Sequence, residues 1–137
     1  MDMIKLQKLM EHFEIDSEDT AGICVIYGKK LLACKRTESC WSIPKGHIHI
    51  NEEPLDGALR EFTEETQVML NGVPELVSTT NKKSGKFYLY KYETDKRINP
   101  HLDHEHEEWG YFEVDKLPQP FDEKVFNELQ KVIGDIK

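Results

Sequence analysis

Residues 46–68, which read GHIHINEEPLDGALREFTEETQV, contain the most informative helical pattern of the chain. Pro54 stands where the first turn of a helix tolerates proline. Apolar residues then recur at spacings of three and four, as on one face of a helix. They are Leu55, Ala58, Leu59 and Phe62. The stretch therefore predicts one amphipathic helix that packs on a core.

Strand patterns lie on both sides of this helix. Before it, apolar runs at 21–27 and 31–34 flank a turn and predict a β-hairpin. After it, the stretch 76–92 is dense in aromatic residues and 109–114 has the same character, so both predict strands. A second helical pattern opens at Asp122. Strands, helix, strands and helix in this order predict an α+β fold in which helices cover a mixed sheet.

The N-terminal segment has a pattern of its own. Residues 1–18 carry apolar side chains mostly three and four positions apart. This predicts an amphipathic helical extension ahead of a domain at 19–137. Such a helix covers one edge of the domain or contacts a second copy of the chain. We therefore expect a monomer or a weak homodimer.

Length and composition indicate the class of protein. The 137 residues suffice for one domain, and 38% apolar with 32% charged residues are typical of a globular chain. No run approaches the ~20 apolar residues of a membrane span, and the first residues show no leader pattern. The three cysteines cannot all pair, and we interpret them as reduced thiols. These features predict a cytoplasmic protein.

Acidic and basic residues alternate in blocks along the chain. The net charge of −8 argues against DNA, a general nucleic-acid coat or an anionic membrane surface as the partner. Residues 52–65 and 101–115 are rich in acidic side chains, whereas 29–45 and 82–97 are rich in lysine and arginine. Acidic blocks attract cations and basic blocks attract polyanions. The alternation therefore favours a phosphate substrate bridged by a metal.

Three glutamates of the predicted helix, Glu61, Glu64 and Glu65, stand at positions i, i+3 and i+4. At this spacing the carboxylates share one face and repel one another by about 0.2–0.5 kcal/mol per pair. A hard divalent cation would offset the repulsion, and Mg²⁺ prefers carboxylate oxygens and bridges to phosphates. The alternative from spacing alone is a solvated acidic face, which is common.

The surroundings of these glutamates resemble the Nudix box, G-x5-E-x7-R-E-U-x-E-E-x-G-U, in which U is a bulky apolar residue. Eight positions match at the fixed spacing. They are Gly46, Glu52, Arg60, Glu61, Phe62, Glu64, Glu65 and Val68. The late glycine is replaced by Gln67. A glycine there supplies the left-handed residue that ends a helix, so either Gln67 adopts that conformation at a steric cost or the helix ends differently.

Two flanking segments extend the resemblance. WSIPKGH at 41–47 and LDHEH at 102–106, followed by Trp109, look like segments of Nudix enzymes that hydrolyse diadenosine tetraphosphate. RNA-end pyrophosphohydrolases share the frame from the tryptophan to the glycine. The resemblance implies an α/β/α sandwich with a catalytic strand–loop–helix motif. It also implies hydrolysis of a nucleoside polyphosphate, first diadenosine tetraphosphate and alternatively the 5′ end of RNA.

The resemblance also implies roles for individual residues. Four carboxylates would bind Mg²⁺, with Mn²⁺ as a possible substitute: Glu61, Glu64, Glu65 and Glu105. Glu61 or Glu105 would take the proton of the attacking water, and Arg60 would orient Glu52 through a fork-shaped ion pair. Four residues would contact the substrate, the last by stacking on a base: Lys45, His47, Lys86 and Tyr90.

Two further interpretations stay open. His101, His104 and His106 with Asp103 suggest zinc, but no fourth ligand stands at a convincing spacing. The other is a Nudix-like module that binds nucleotide without turnover. The retained glutamates count against it, whereas Gln67 leaves it open.

Overall fold

The structure is a computed structural model that describes residues 16–136. The helices are α1 (Pro54–Thr66) and α2 (Glu123–Ile136). The strands are β1 (Asp16–Tyr27), β2 (Lys30–Arg36), β3 (Trp41–Ser42), β4 (Lys45–His49), β5 (Glu75–Lys82), β6 (Gly85–Thr94) and β7 (His106–Glu113). The expected helical extension at 1–18 lies outside the described residues, except that residues 16–18 belong to β1.

β1 is the central strand of one mixed sheet with the order β3-β2-β1-β6-β5. It runs parallel to β6 and antiparallel to β2 and β4. β2 pairs with β1 only next to the turn, at Ile26 and Tyr27, and then continues along β7. Because β2 turns away from β1 beyond these residues, the first half of β1 pairs with β4 instead. In that pairing Ala21 lies opposite Gly46. This divergence places the glycine of the Nudix-like motif near the middle of the sheet.

Two apolar layers lie on the two faces of the sheet. Successive side chains of a strand point to opposite faces, and along β1 Ile23 and Val25 belong to one buried cluster while Cys24 and Ile26 belong to the other. The first cluster includes Ala58 and Phe62 of α1, and the second includes three residues of α2. They are Val125, Leu129 and Val132. The predicted α+β fold, with helices covering a mixed sheet, is confirmed.

The ends of the helices follow local chemistry. Gln67 after α1 is left-handed, with φ 59° and ψ 28°, and its N–H donates to the carbonyl of Thr63 at 2.8 Å. Asn51, before the helix, also has a positive φ, of 71°. Asp122 accepts hydrogen bonds from the N–H groups of Lys124 and Val125 and so caps α2. Neither helix within residues 16–136 is long and apolar enough to cross a membrane.

Candidate active site

Glu61 of α1 lies against the backbone of Gly46 in β4. A Cβ atom at position 46 would overlap the carboxyl group of Glu61, so glycine is required for this close approach. Burial, followed by the neighbouring carboxylate of Glu65, raises the pKa of Glu61 to about 7. Near neutral pH this carboxyl group can therefore either hold or release a proton.

Arg60 holds several carboxylates of the site together. Its Nε and Nη2 donate to the two oxygens of Glu52 at 3.0 and 3.1 Å, which is the fork-shaped contact expected of a guanidinium and a carboxylate. Its Nη1 donates to Glu61 at 3.0 Å and to Glu64 at 3.1 Å. Burial alone would raise the pKa of Glu52, but the bonds from Arg60 and from the His49 N–H hold it below its usual range. Glu52 therefore stays ionised and anchors Arg60.

Glu65 is the most buried carboxylate of α1, with 8% of its side chain exposed. Its Oε2 accepts a hydrogen bond from the backbone N–H of Lys45 at 3.0 Å, and its Oε1 lies 3.1 Å from Nε2 of His106. Nδ1 of His106 in turn lies 2.7 Å from Oδ1 of Asp103. Burial raises the pKa of Glu65. Burial alone would lower the pKa of His106, but the Glu65 and Asp103 carboxylates raise it above its usual value.

Glu64 and Glu105 point away from this buried pair. Glu64 is about half exposed and turned toward Arg60. Glu105 is 54% exposed, 3.9 Å from Nη2 of Arg36. Across residues 16–136, no three His, Cys, Asp or Glu side chains converge as a ready metal cage. Glu64 and Glu105 would both have to turn before all four predicted ligands could meet.

Glu105 does not lie beside the α1 carboxylates in this structure, and its role as a metal ligand stays a prediction. His106, the next residue, starts β7 and points inward to Glu65. Glu105 lies in the turn that precedes β7, and its exposed side chain points toward Arg36. Both ring nitrogens of His106 contact carboxylates, Nε2 that of Glu65 and Nδ1 that of Asp103. This arrangement argues against the zinc interpretation.

A basic cavity of about 590 Å³ lies between the sheet and α2. Lys45 contacts both the carboxylates of α1 and this cavity. Its backbone N–H donates to Glu65, and the residue also lines the cavity. Its Nζ is 3.6 Å from Oδ2 of Asp122. Three further lysines line the cavity: Lys82, Lys83 and Lys124. The size is within the ~300–1,000 Å³ range of small-molecule sites.

The ammonium groups in this cavity repel one another. Nζ of Lys82 donates to Oγ1 of Thr20 at 2.9 Å. Burial, followed by the positive charges of Lys45 and Lys124, lowers the pKa of Lys82. An anion between these three lysines would relieve the repulsion. The cavity is therefore suited to phosphate groups.

The other predicted substrate contacts lie elsewhere. Lys86 is exposed and is absent from the lining of the cavity, which includes Lys82 and Lys83 instead. His47 is exposed at β4, with Nδ1 3.1 Å from the carbonyl oxygen of Ser17. Tyr90 is only 6% exposed and packs in the cluster beneath α1. The ring of Tyr90 is therefore covered in this structure, and its stacking on a base stays a prediction.

Sequence reasoning missed the roles of three site residues. Lys82 was expected only as part of the basic block at 82–97 that an RNA end would engage, and Lys124 was visible as an isolated lysine near a helix start. His106 was visible within the LDHEH segment, but nothing in the sequence indicated that it would meet Glu65. Their positions depend on which strands pair, and that information is not local.

Comparisons with known proteins agree with this geometry. A profile of the NUDIX domain matches residues 17–131. The RNA pyrophosphohydrolase of Brucella anthropi is 31% identical over 117 residues, which cover 65% of this chain and 67% of that relative.

Solved structures show the same fold. A MutT NUDIX hydrolase from Burkholderia pseudomallei superposes with a TM-score of 0.73 at 23% identity, covering 83% of this chain and 96% of that one. A C. elegans Ap4A hydrolase binary complex gives a TM-score of 0.65 at 19% identity, covering 86% and 96%. At these identities the two structures establish the shared fold alone. Because the domain profile spans most of its length, the chain belongs to the Nudix hydrolase family.

Proposed function

We propose that this chain is a Mg²⁺-dependent pyrophosphohydrolase that cleaves a nucleoside polyphosphate by attack of water on phosphorus. The leading substrate is a dinucleoside polyphosphate such as diadenosine tetraphosphate. One observation carries the proposal: Lys45 connects the carboxylates of α1 to the lysine-lined cavity, through its backbone on one side and its side chain on the other. A phosphate chain that spans both regions would meet the acidic cluster and the lysines at once.

The donor set fits a hard divalent cation. The negative charge of Glu65 raises the pKa of Glu61, so it is unfavourable for both carboxylates to be ionised at once. A bound cation would offset this repulsion. Mg²⁺, or Mn²⁺ in its place, would be held by Glu61 and Glu65, with Glu64 and Glu105 joining once their side chains turned. When bound, such a cation neutralises phosphate charge and makes a coordinated water more acidic.

The side chains of this chain supply the remaining functions. Glu61, which is mostly buried within the acidic cluster of α1, is the better candidate for the general base than the exposed Glu105. Arg60 keeps Glu52, Glu61 and Glu64 in fixed orientations. Lysines of the cavity bind the phosphate oxygens that are not attacked. His47 and Lys86, at the exposed margin, contact outlying phosphates.

The 5′ end of RNA is the second candidate substrate. The observation that favours it is the 31% identity to the RNA pyrophosphohydrolase of Brucella anthropi. Lys83 is exposed and lines the cavity, and Lys86 is exposed three residues further along the chain, where a longer nucleic-acid backbone could reach it. A strand that makes several phosphate contacts would bind with a steep dependence on salt.

The decisive experiment is a panel assay with Mg²⁺ that resolves the products of four substrate classes. These are diadenosine tetraphosphate, nucleoside triphosphates, ADP-ribose and triphosphorylated RNA. Glu64→Gln, which removes one ligand charge, should lower turnover by orders of magnitude. Glu53→Gln is the matched control, because Glu53 is exposed just before α1. Parent-level turnover by Glu64→Gln at limiting Mg²⁺ would contradict the metal assignment.

Salt dependence separates the two substrates. We expect Lys86→Ala to reduce the salt slope for triphosphorylated RNA while changing kcat/KM for diadenosine tetraphosphate only slightly, because Lys86 is exposed and does not line the cavity. Lys82→Ala and Lys83→Ala should each weaken both substrates, because both lysines line the shared cavity. If the dinucleotide is not cleaved and RNA is, the RNA-end function takes first place.

A further inference from the structure

One buried carboxylate of the cavity has no part in the proposed mechanism. Glu128 lies on α2, is 9% exposed and lines the cavity. Carboxylates are rarely buried to this extent unless they are paired. The contacts of its two oxygens show what it could do.

The two oxygens of Glu128 have different surroundings. Oε2 accepts hydrogen bonds from the hydroxyl of Ser78 at 2.9 Å, from the hydroxyl of Thr80 and from Nζ of Lys131 at 2.8 Å. Oε1 accepts no hydrogen bond from the residues that the structure describes. Among the described residues it is also not one of the fully enclosed unpaired atoms, so it keeps some exposed surface, and Glu128 lines the cavity. One oxygen is thus fixed to the protein and the other remains available.

The three donors keep this carboxyl group ionised. Burial alone would raise the pKa of Glu128, but the bonds from Lys131, Thr80 and Ser78 hold it below its usual range. An ionised carboxylate only accepts hydrogen bonds. Oε1 therefore presents an acceptor to whatever enters the cavity.

The wall next to Glu128 suits a flat, largely apolar group. Phe87 of β6 and Val125 of α2 are buried and also line the cavity. The lysines on the same lining suit phosphate groups. A nucleotide has both parts, a phosphate chain and an apolar ring with polar edges.

We infer that Oε1 of Glu128 accepts a hydrogen bond from the exocyclic amino group of the substrate's nucleobase. Adenine, guanine and cytosine carry such a group. A base with only a carbonyl oxygen in that place would set two acceptors against each other and leave Oε1 unpaired, which is costly in a buried site. This inference rests on the proposed function and names the class of base that the cavity selects.

The first test uses the parent protein with Mg²⁺. ATP and ITP differ at carbon 6 of the purine, which carries an amino group in ATP and a carbonyl oxygen in ITP, and at N1, which carries a proton only in ITP; GTP differs from ITP by its 2-amino group. If the triphosphates are not cleaved, the same comparison uses diadenosine, diguanosine and diinosine tetraphosphates. We expect kcat/KM for ATP, GTP or both to exceed that for ITP about tenfold or more. Cleavage of all three nucleotides at equal efficiency would overturn the inference and leave the proposed function intact. Failure to cleave any nucleoside polyphosphate or RNA end would overturn both.

The second test is Glu128→Gln. Ser78, Thr80 and Lys131 all donate to the Oε2 position, so they should hold the amide oxygen there and direct the NH₂ group into the cavity. The substitution would then convert an acceptor into a donor, and the preference should move about tenfold toward ITP. Glu123→Gln, an exposed change of equal charge on the same helix that lies off the cavity, should leave the preference unchanged.

Thermal unfolding of both variants completes the design. If Glu128→Gln folds and lowers kcat/KM for ATP and ITP by the same factor, Glu128 serves only to join α2 to β5 and the inference is wrong. If that variant does not fold, the comparison of ATP, GTP and ITP on the parent protein still decides the question.

Discussion

Nε2 of His106 lies 3.1 Å from Oε1 of Glu65, and the two side chains are 3% and 8% exposed. This contact joins the start of β7 to the acidic face of α1, across forty-one positions of sequence. Because Asp103 engages the other ring nitrogen, the imidazole is held between two carboxylates. His106, together with the backbone N–H of Lys45, therefore orients the most buried glutamate of the site.

Replacing His106 by alanine should destabilise the metal-free protein by about 1–3 kcal/mol, because Glu65 and Asp103 lose a buried partner. The raised pKa of His106 gives the sign of the pH dependence. Its stabilising contribution is fully present below its unfolded pKa of about 6.5 and is lost as the pH rises through the folded value. Urea unfolding at pH 6 and pH 9 should show the larger effect at pH 6. His104→Ala, an exposed neighbour, is the control and should have little effect at either pH.

Gly46→Ala should impair the site through Glu61. The added Cβ would overlap the Glu61 carboxyl group, so that side chain must move. We expect a large loss of Mg²⁺-dependent turnover and a loss of stability of about 1–3 kcal/mol, the usual range for overpacking.

A double-mutant cycle with Glu61→Ala identifies the cause. If the overlap with the carboxyl group is responsible, Gly46→Ala should cost almost no further stability once that carboxyl is absent. Additive losses in the double variant would place the strain elsewhere.

Gln67→Gly should stabilise the chain modestly. Gln67 adopts the left-handed conformation at the end of α1, where glycine has no steric penalty. The expected gain is about 1 kcal/mol or less in the free energy of unfolding, with turnover within a few-fold of the parent. Gln67→Ala, which keeps the Cβ, should give no gain. A large rise in turnover for Gln67→Gly would show instead that Gln67 impairs the site, and would favour the interpretation as a binding module.

Glu61→Gln should change how the stability of the metal-free protein depends on pH. The pKa of Glu61 is raised from 4.5 to about 7, so the folded state binds the proton more tightly than the unfolded state. The parent should therefore lose stability as the pH rises from about 4.5 to about 7 and should then level off. The variant lacks this loss, so its stability relative to the parent should increase across the window by about 1–3 kcal/mol.

Urea unfolding with a chelator at pH 5, 6, 7 and 8 measures this difference. Glu53→Gln, an exposed change of the same charge, should follow the pH curve of the parent. Parallel curves for Glu61→Gln and the parent would show that Glu61 is not the group that titrates.

The elements of this fold follow from local patterns. The apolar stripe of α1, the turn at Gly28 and the aromatic strand β6 all depend on neighbours within a few positions, and each is present as predicted. Tyr88, Tyr90 and Tyr92 share a face for the same reason, since side chains of a strand alternate. Strand pairing is different, because β1 takes β4 and β6 as partners from distant parts of the chain.

The candidate site divides in the same way. The sequence alone determined that Glu61, Glu64 and Glu65 share a helix face, because helical spacing is local. It also showed that the residues around them resemble the Nudix box, because the spacing of that motif is local too. Only the tertiary structure decided that Glu65 meets His106, that Glu105 turns outward to Arg36 and that Lys82 joins Lys45 in one cavity. These contacts depend on the divergence of β2 from β1 and on the packing of α2, which bring together side chains that are far apart in sequence.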